Sequence, residues 1–405
     1  MLGFMDHVQA VWLEATNWNR DNSYSTLTAT SQALLDFPVP HGLRLHVSSL
    51  SSPHIGTSYT LGSTGLVDGS LSYLYSSLPL ATSFRSSALD LRTVVQGYRQ
   101  LQELNPPDEP WWWEIWRGGR RVDRRNTLLY GRLYLPSSTL EALYLRRLSP
   151  TRQLKLTCVS DSRLKNGGTI LAHLTHSTPS STIEGLFSTD SALLGLRALY
   201  NFPHLPSTTT SQSPPSPPSR LSTGFELYYG LQNGTLGLST GLRFVTLPPA
   251  PSTTTKTTTT TPTPSASTFP LTATLTLNPL TGSLSTTYAV RATRLLSLAS
   301  RFDFNVYSYD SEVVLGCELW RMRRRRRKPS EAREEVEWAA RKMRTLDGVT
   351  AASDAADDLD EGSSIASSSS DDDDNIQGVI KARINQRGAV GVVWEGRVKE
   401  MLVTI

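Results

Sequence analysis

Residues 43–75 read LRLHVSSLSSPHIGTSYTLGSTGLVDGSLSYLY. Leu43, Leu45 and Val47 alternate with Arg44 and His46. Ile55, Thr57, Tyr59 and Leu61 alternate with Gly56, Ser58 and Thr60, and Val67, Leu71, Tyr73 and Tyr75 align in the third run. A period of two puts successive side chains on opposite faces of a strand, so these are three strands. Their short turns make them an antiparallel meander.

Outward from this stretch the pattern recurs to the end. TLLYGRLYLP, TLEALYLRR, QLKLTCVSD and GTILAHLTH follow between residues 127 and 176; TIEGLFS, ALLGLRALY, GFELYYGL and TLGLSTGLRFV lie between 182 and 245. LTATLTLN, GSLSTTYAVRA, LSLASRFDF, YDSEVVLGCELW, GVIKARIN and AVGVVWEGRVKEMLV lie between 271 and 403. A fourth strand is expected near LRTVVQGYRQ (91–100) and a weaker one at WWWEIWRG (111–118), for about 19 in all. Residues 3–16 differ, because Phe4, Met5, Val8, Val11, Trp12 and Ala15 recur at helical spacing and form one apolar face.

Three segments, 203–220, 248–268 and 322–375, are rich in Pro, Thr, Ser or charge and are expected to be disordered loops. Two strands separate the first pair of loops and four the second. An even number of antiparallel crossings returns the chain to its starting side, so all three loops, and Ile405, are expected at one face.

Composition agrees with sheet. Of 405 residues, 38% are hydrophobic and 19% charged, and Ser and Thr make up nearly a quarter. Ser and Thr compete with the helical backbone, while β-branched Thr suits strands. The net charge of +4 comes from local runs, Arg117 to Arg125 and Arg321 to Lys328, offset by Asp371 to Asp374. Cys158 and Cys317 are too few for a disulfide scaffold or a four-cysteine zinc site. The opening residues carry neither a basic, apolar leader pattern nor an Arg-rich one, so no cleavable address is expected. The longest apolar runs, such as AVGVVW, fall far short of the ~20 residues of a membrane helix.

Alternation alone does not separate a soluble sandwich from a membrane barrel. Strand number favours the barrel, since so many up-and-down strands exceed an ordinary open sheet and lipid accepts no open edge. Tyr73, Tyr75, Tyr130, Tyr134, Tyr200, Tyr229, Tyr307, Tyr309 and Trp394 lie near strand ends, where an interfacial aromatic girdle is expected. The reading is therefore all-β: a transmembrane antiparallel barrel of about 19 strands, porin-like, with the N-terminal helix packed in the pore. A soluble β-rich binding module is the competing architecture.

The opening MLGFMDHVQAVWLEATNWNRDNSYSTLTATSQALLDF, the segment SPHIGTSYTLGSTGLVDGSLSYLYSSLPL and the stretch SRFDFNVYSYDSEVVLGCELW resemble the fungal mitochondrial distribution and morphology protein ten family. The resemblance covers nearly all the chain outside the three loops. It implies a barrel of the outer mitochondrial membrane that serves as the β-barrel subunit of ERMES, the tether between endoplasmic reticulum and mitochondria. It also implies phospholipid exchange through SMP-domain lipid-transfer partners, support of mitochondrial morphology, and barrel assembly with subunits of the SAM complex. The family's barrel-sorting signal places a polar residue two before a Gly, followed by alternating hydrophobics; around Gly396, Trp394 takes the polar position and Lys399 interrupts the alternation.

Candidate chemistry is sparse. His173 and His176, three apart on a strand, face opposite sides, so no shared metal is expected, and no cofactor either. GxSxG, HExxH and P-loop patterns are absent from the sequence, and an enzyme is not expected. Arg321 to Lys328 reads as a charged stop at a strand end, with anionic lipid the next reading and nucleic acid a remote one. Trp111 to Trp116 reads as an interfacial anchor or docking patch, and Asn233 in NGT as a hairpin turn. Tyr73 and Tyr75 are girdle residues or, as the resemblance implies, a partner-docking pair; Tyr307 and Tyr309 make a second such pair. The alternative function is a diffusion pore resembling a voltage-dependent anion channel.

Overall fold

The computed structural model describes residues 2–39, 43–64, 66–80, 90–107, 114–117, 120–123, 126–164, 166–202, 219–247, 269–322, 376–398 and 401–405. The strands are β1 (Leu43–Ser52), β2 (Ile55–Thr64), β3 (Leu66–Ser76), β4 (Glu114–Arg117), β5 (Arg120–Asp123), β6 (Thr127–Leu135) and β7 (Thr139–Ser149). They continue as β8 (Arg152–Ser160), β9 (Gly168–Ser177), β10 (Ser181–Ser188), β11 (Leu193–Asn201), β12 (Ser219–Gly230), β13 (Thr235–Thr246) and β14 (Leu271–Asn278). The last are β15 (Ser283–Arg291), β16 (Leu296–Asn305), β17 (Ser311–Met322), β18 (Ile376–Asn385), β19 (Val390–Val398) and β20 (Met401–Thr404). Eighteen of them form one antiparallel sheet in chain order, with β3 pairing directly to β6. β4 and β5 form a separate hairpin. Among the described residues no ladder joins β1 to β19 or β20.

The two faces of the sheet invert the pattern of a soluble protein. Leu45, Tyr59, Leu196, Phe225, Phe302 and Leu315 are exposed, while Ser72, Arg147, Glu184, Arg243, Glu318 and Lys381 are buried on the other side. Register keeps this consistent across ladders: Val47 lies opposite Tyr59, and Ser48 opposite Ser58. An apolar exterior around a polar interior is the arrangement of a barrel solvated by lipid. No described helix is long and apolar enough to cross a membrane.

The inner face wraps around the N-terminal segments. Helix α1 (Phe4–Ala15) seats Met5, Val8, Trp12 and Leu13 against Leu74, Leu128 and Leu145, inside the pore as its amphipathic pattern requires. A 3-10 turn, Tyr24–Thr26, reaches β11 and β13 through Leu199 and Ser239. Helix α2 (Ala29–Leu35) packs Leu34 and Leu35 on Ala289, Ala299 and Val314. One plug thus touches the sheet at β3, β6 and β7, at β11 to β13 and at β15 to β17.

Several expectations are corrected. LRTVVQGYRQ is not a strand: Asp90 caps a short helix, α3 (Leu91–Val94), and residues 90–107 run through the lumen as a strap. WWWEIWRG contributes β4, outside the main sheet. Trp111 to Trp113 lie outside the described residues. AVGVVWEGRVKEMLV is two strands, β19 and β20, paired as a hairpin on either side of Lys399 and Glu400. Tyr130 and Tyr134 face the lumen rather than the girdle: Tyr130 packs on the cluster that holds α1, and Tyr134 donates to Glu141 at 3.0 Å.

The edges of the sheet differ. From β2–β3 to β18–β19, every second connection is a turn of at most seven residues, all at one edge. The chain leaves the opposite edge at Asn201, Thr246 and Met322 and returns there at Ser219, Leu271 and Ile376, so the three long loops share one face, as strand parity requires. Residues 203–218, 248–268 and 323–375 themselves lie outside the described residues; Ser219, Arg220 and Met322, expected in loops, belong to strands. Ile405 does not end at that face, because it exchanges backbone hydrogen bonds of 2.8 Å with Trp394 along β19.

Candidate functional site: a filled lumen and an outer tyrosine face

The strap is held by charge as well as packing. Leu91 and Val95 enter an apolar cluster with Trp320, Ile376 and Val379. Below it, the Tyr98 backbone N–H donates to the Glu318 carboxylate at 2.7 Å. The Lys381 ammonium donates to the Gln96 carbonyl and pairs with Glu395 at 2.9 Å, both side chains being almost wholly buried. Buried ions need partners of this geometry, because an unpaired one carries a desolvation cost of several kcal/mol. Gly97 fits because a Cβ there would collide with the Glu318 carboxylate.

Polar groups also fix the segment between the helices. Asn22 donates to the Ser177 hydroxyl at 3.0 Å and the Thr178 carbonyl at 2.7 Å, and accepts from Asn201 at 2.8 Å. Arg301 pairs with Asp36 at 2.6 Å, and Arg383 donates to the Leu35 carbonyl at 2.9 Å. A cavity of about 390 Å³ remains, lined by Tyr24, Gln32, Arg197, Glu226, Ser239 and Arg301. Its charges are mutually satisfied, with Arg197 3.3 Å from Glu226. His173 faces Glu184 in the lumen at 3.2 Å, whereas His176 lies on the other face. Among the described residues no three His, Cys, Asp or Glu side chains converge. The arrangement fills and braces a lumen.

Tyr73 and Tyr75 stand on the outer face of β3, 54% and 46% exposed. Tyr75 lies opposite Ile55, close to the edge from which the long connections leave, and Tyr59 on β2 enlarges the patch. Tyr307 and Tyr309 are not on a strand face. They sit in the β16–β17 turn at the opposite edge, Tyr309 at φ 58°, where Asn305 accepts the Tyr307 N–H. The two pairs therefore cannot form one surface. The strap, α2 and Asn22 escaped the sequence reading; Asp90 before Leu91 was the available signal for the strap.

The model of the family described as mitochondrial distribution and morphology protein 10 matches residues 1–405. The chain belongs to this family. Relatives of the same name include that of Sclerotinia sclerotiorum, 53% identical over all of this chain and 94% of its own. The Phaeosphaeria nodorum protein is 52% identical over all of this chain and 94% of its own, and that of Aspergillus terreus 48% over all of this chain and 89% of its own. Membership of this mitochondrial distribution and morphology protein 10 family ties the inside-out sheet to the distribution and morphology of mitochondria.

Proposed function

We propose that the chain is a non-catalytic β-barrel of the mitochondrial outer membrane that anchors the ERMES tether at contacts with the endoplasmic reticulum. There it supports phospholipid exchange by SMP-domain partners, and with SAM subunits it assists the insertion of other barrels. The plug carries this reading. A lumen occupied by α1, α2 and the strap leaves the outer wall and the two rims as working surfaces, which suits a scaffold held in lipid. The diffusion-pore alternative needs a wide open lumen, and the plug weighs against it. Nucleic acid has no role in this proposal.

Tyr73 and Tyr75 are the proposed docking pair of one complex, and Tyr307 and Tyr309, at the opposite rim, of another. The test is affinity purification from mild detergent. The native chain should recover both tether and assembly subunits, and Tyr73→Ala with Tyr75→Ala should lose one set while the protein stays in the carbonate-resistant membrane fraction. Recovery of neither set by the native chain, or large conductance in a planar bilayer, would sink the scaffold reading.

A further inference from the structure

Four guanidinium groups meet in the lumen near the long-connection edge. Arg20 and Arg99 come from the plug and strap; Arg220 and Arg243 come from the inner faces of β12 and β13, where Ser222 pairs with Arg243 and Arg220 with Val245. They converge on one carboxylate, since Asp21 lies 3.1 Å from Arg99 and acts on each of the other three. Asp6 also reaches Arg20 but is shared with Lys155. Among the described residues, these four cations face two carboxylates, one of them shared with Lys155, so at least two positive charges lack a counterpart there.

The hydrogen bonds are also incomplete. Arg243, 1% exposed, donates to the Asp21 carbonyl at 3.1 Å and the Thr26 carbonyl at 3.3 Å, yet its Nε–H has no acceptor. Arg220, 7% exposed, donates to the Gln102 carbonyl at 3.4 Å, and its Nε and Nη2 have none. Arginine does not shed its charge on burial, so such orphaned donors carry a cost that the acceptor oxygens of an anion would relieve. Arg20 is open to water, although surrounding protein and the Arg99 cation push its guanidinium below its ordinary value. Arg99, with 54% of its side chain exposed, completes an accessible rim above the buried pair.

We infer that this cluster is a binding site for a phosphate group, entered past Arg20 and Arg99 and closed by Arg220 and Arg243. Phosphate presents several acceptor oxygens to forked guanidinium donors, as a carboxylate or chloride does less completely. The group can belong to a phospholipid headgroup or to free phosphate.

The full-length protein in neutral detergent micelles is the test, read by thermal unfolding. One arm adds inorganic phosphate against chloride at equal ionic strength; the other adds phosphatidic acid against diacylglycerol. The expected result is a concentration-dependent rise in Tm that Arg220→Gln and Arg99→Gln each weaken about tenfold in apparent affinity, the scale of a charge-assisted hydrogen bond. Arg387→Gln, in a turn at the far edge, should leave the rise unchanged. A rise with phosphatidic acid alone assigns the headgroup as source; a rise with both assigns the phosphate itself. No rise in either arm overturns the site. So does an equal rise in the native protein, Arg99→Gln and Arg220→Gln, because the arginines would then only brace the plug.

Discussion

The side-chain amide of Asn201 donates to the side-chain oxygen of Asn22 at 2.8 Å, joining the plug to the end of β11 across 179 residues of chain. Ser222 donates to Asn201 at 2.7 Å, and Asn22 reaches Ser177, so three strands and the plug share one buried polar network. Satisfied networks of this kind fix position; half-satisfied ones are costly.

Asn22→Leu should therefore destabilise the protein by about 2–4 kcal/mol, since it orphans the Thr178 carbonyl and one N–H of the Asn201 amide, whose other N–H keeps the Pro179 carbonyl at 3.0 Å, at about 1–3 kcal/mol each, partly relieved by water. The check is denaturant unfolding in micelles. Ser222→Ala on its own should cost only about 1 kcal/mol, because Asn201 keeps its other partners.

Gly97→Val should unseat the strap. Its side chain would occupy the space of the Glu318 carboxylate, breaking the Tyr98 bond and leaving a buried carboxylate without its donor. In a background with Cys158→Ser and Cys317→Ser, a reporter Leu101→Cys should react with a thiol reagent about tenfold faster, or ~1.4 kcal/mol, when Gly97→Val is added. Unchanged labelling would mean that the strap is held elsewhere.

Acid should loosen helix α1. His7 is 7% exposed, and its burial lowers the imidazole below its ordinary value of 6.5. The undocked helix then binds the proton more readily than the docked one, so docking is unaffected above the ordinary value and weakens as pH falls through it toward the lowered value. Limited proteolysis of the N-terminus should accelerate between about pH 7.5 and about pH 5.5, and His7→Gln should flatten that dependence.

Protease tags inserted in 203–218, 248–268 and 323–375 should behave alike in mitochondria, all cleaved or all protected before the outer membrane is ruptured. The ends of β11, β13 and β17 lie at one edge, and each next strand starts there. One tag differing from the others would place an odd number of crossings between them.

Strand period and parity were legible because side chains alternate wherever one face meets the plug and the other is exposed. The strap was not. Leu91, Val94 and Val95 are as apolar as strand residues, and what makes them a plug is Glu318 and Lys381, more than 200 residues later. Tyr307 and Tyr309 share the spacing of Tyr73 and Tyr75, yet Asn305 and Asp310 close a turn around them. The division between β19 and β20 was visible only as two charges, Lys399 and Glu400, within an apolar run.

The plug belongs to the first quarter of the chain; α1 is clasped early, by β3, β6 and β7, but the side chains that clasp α2 and the strap sit mostly on β15 to β19. However the polypeptide is delivered to the membrane, α2 and the strap find no seat until the final strands have joined the wall. Seating of the strap is thus a completion signal: a barrel that stalls short of β18 can already hold α1 on β3, β6 and β7, yet it leaves residues 90–107 without Lys381, Ile376 and Val379, and so differs from a finished molecule inside its own lumen.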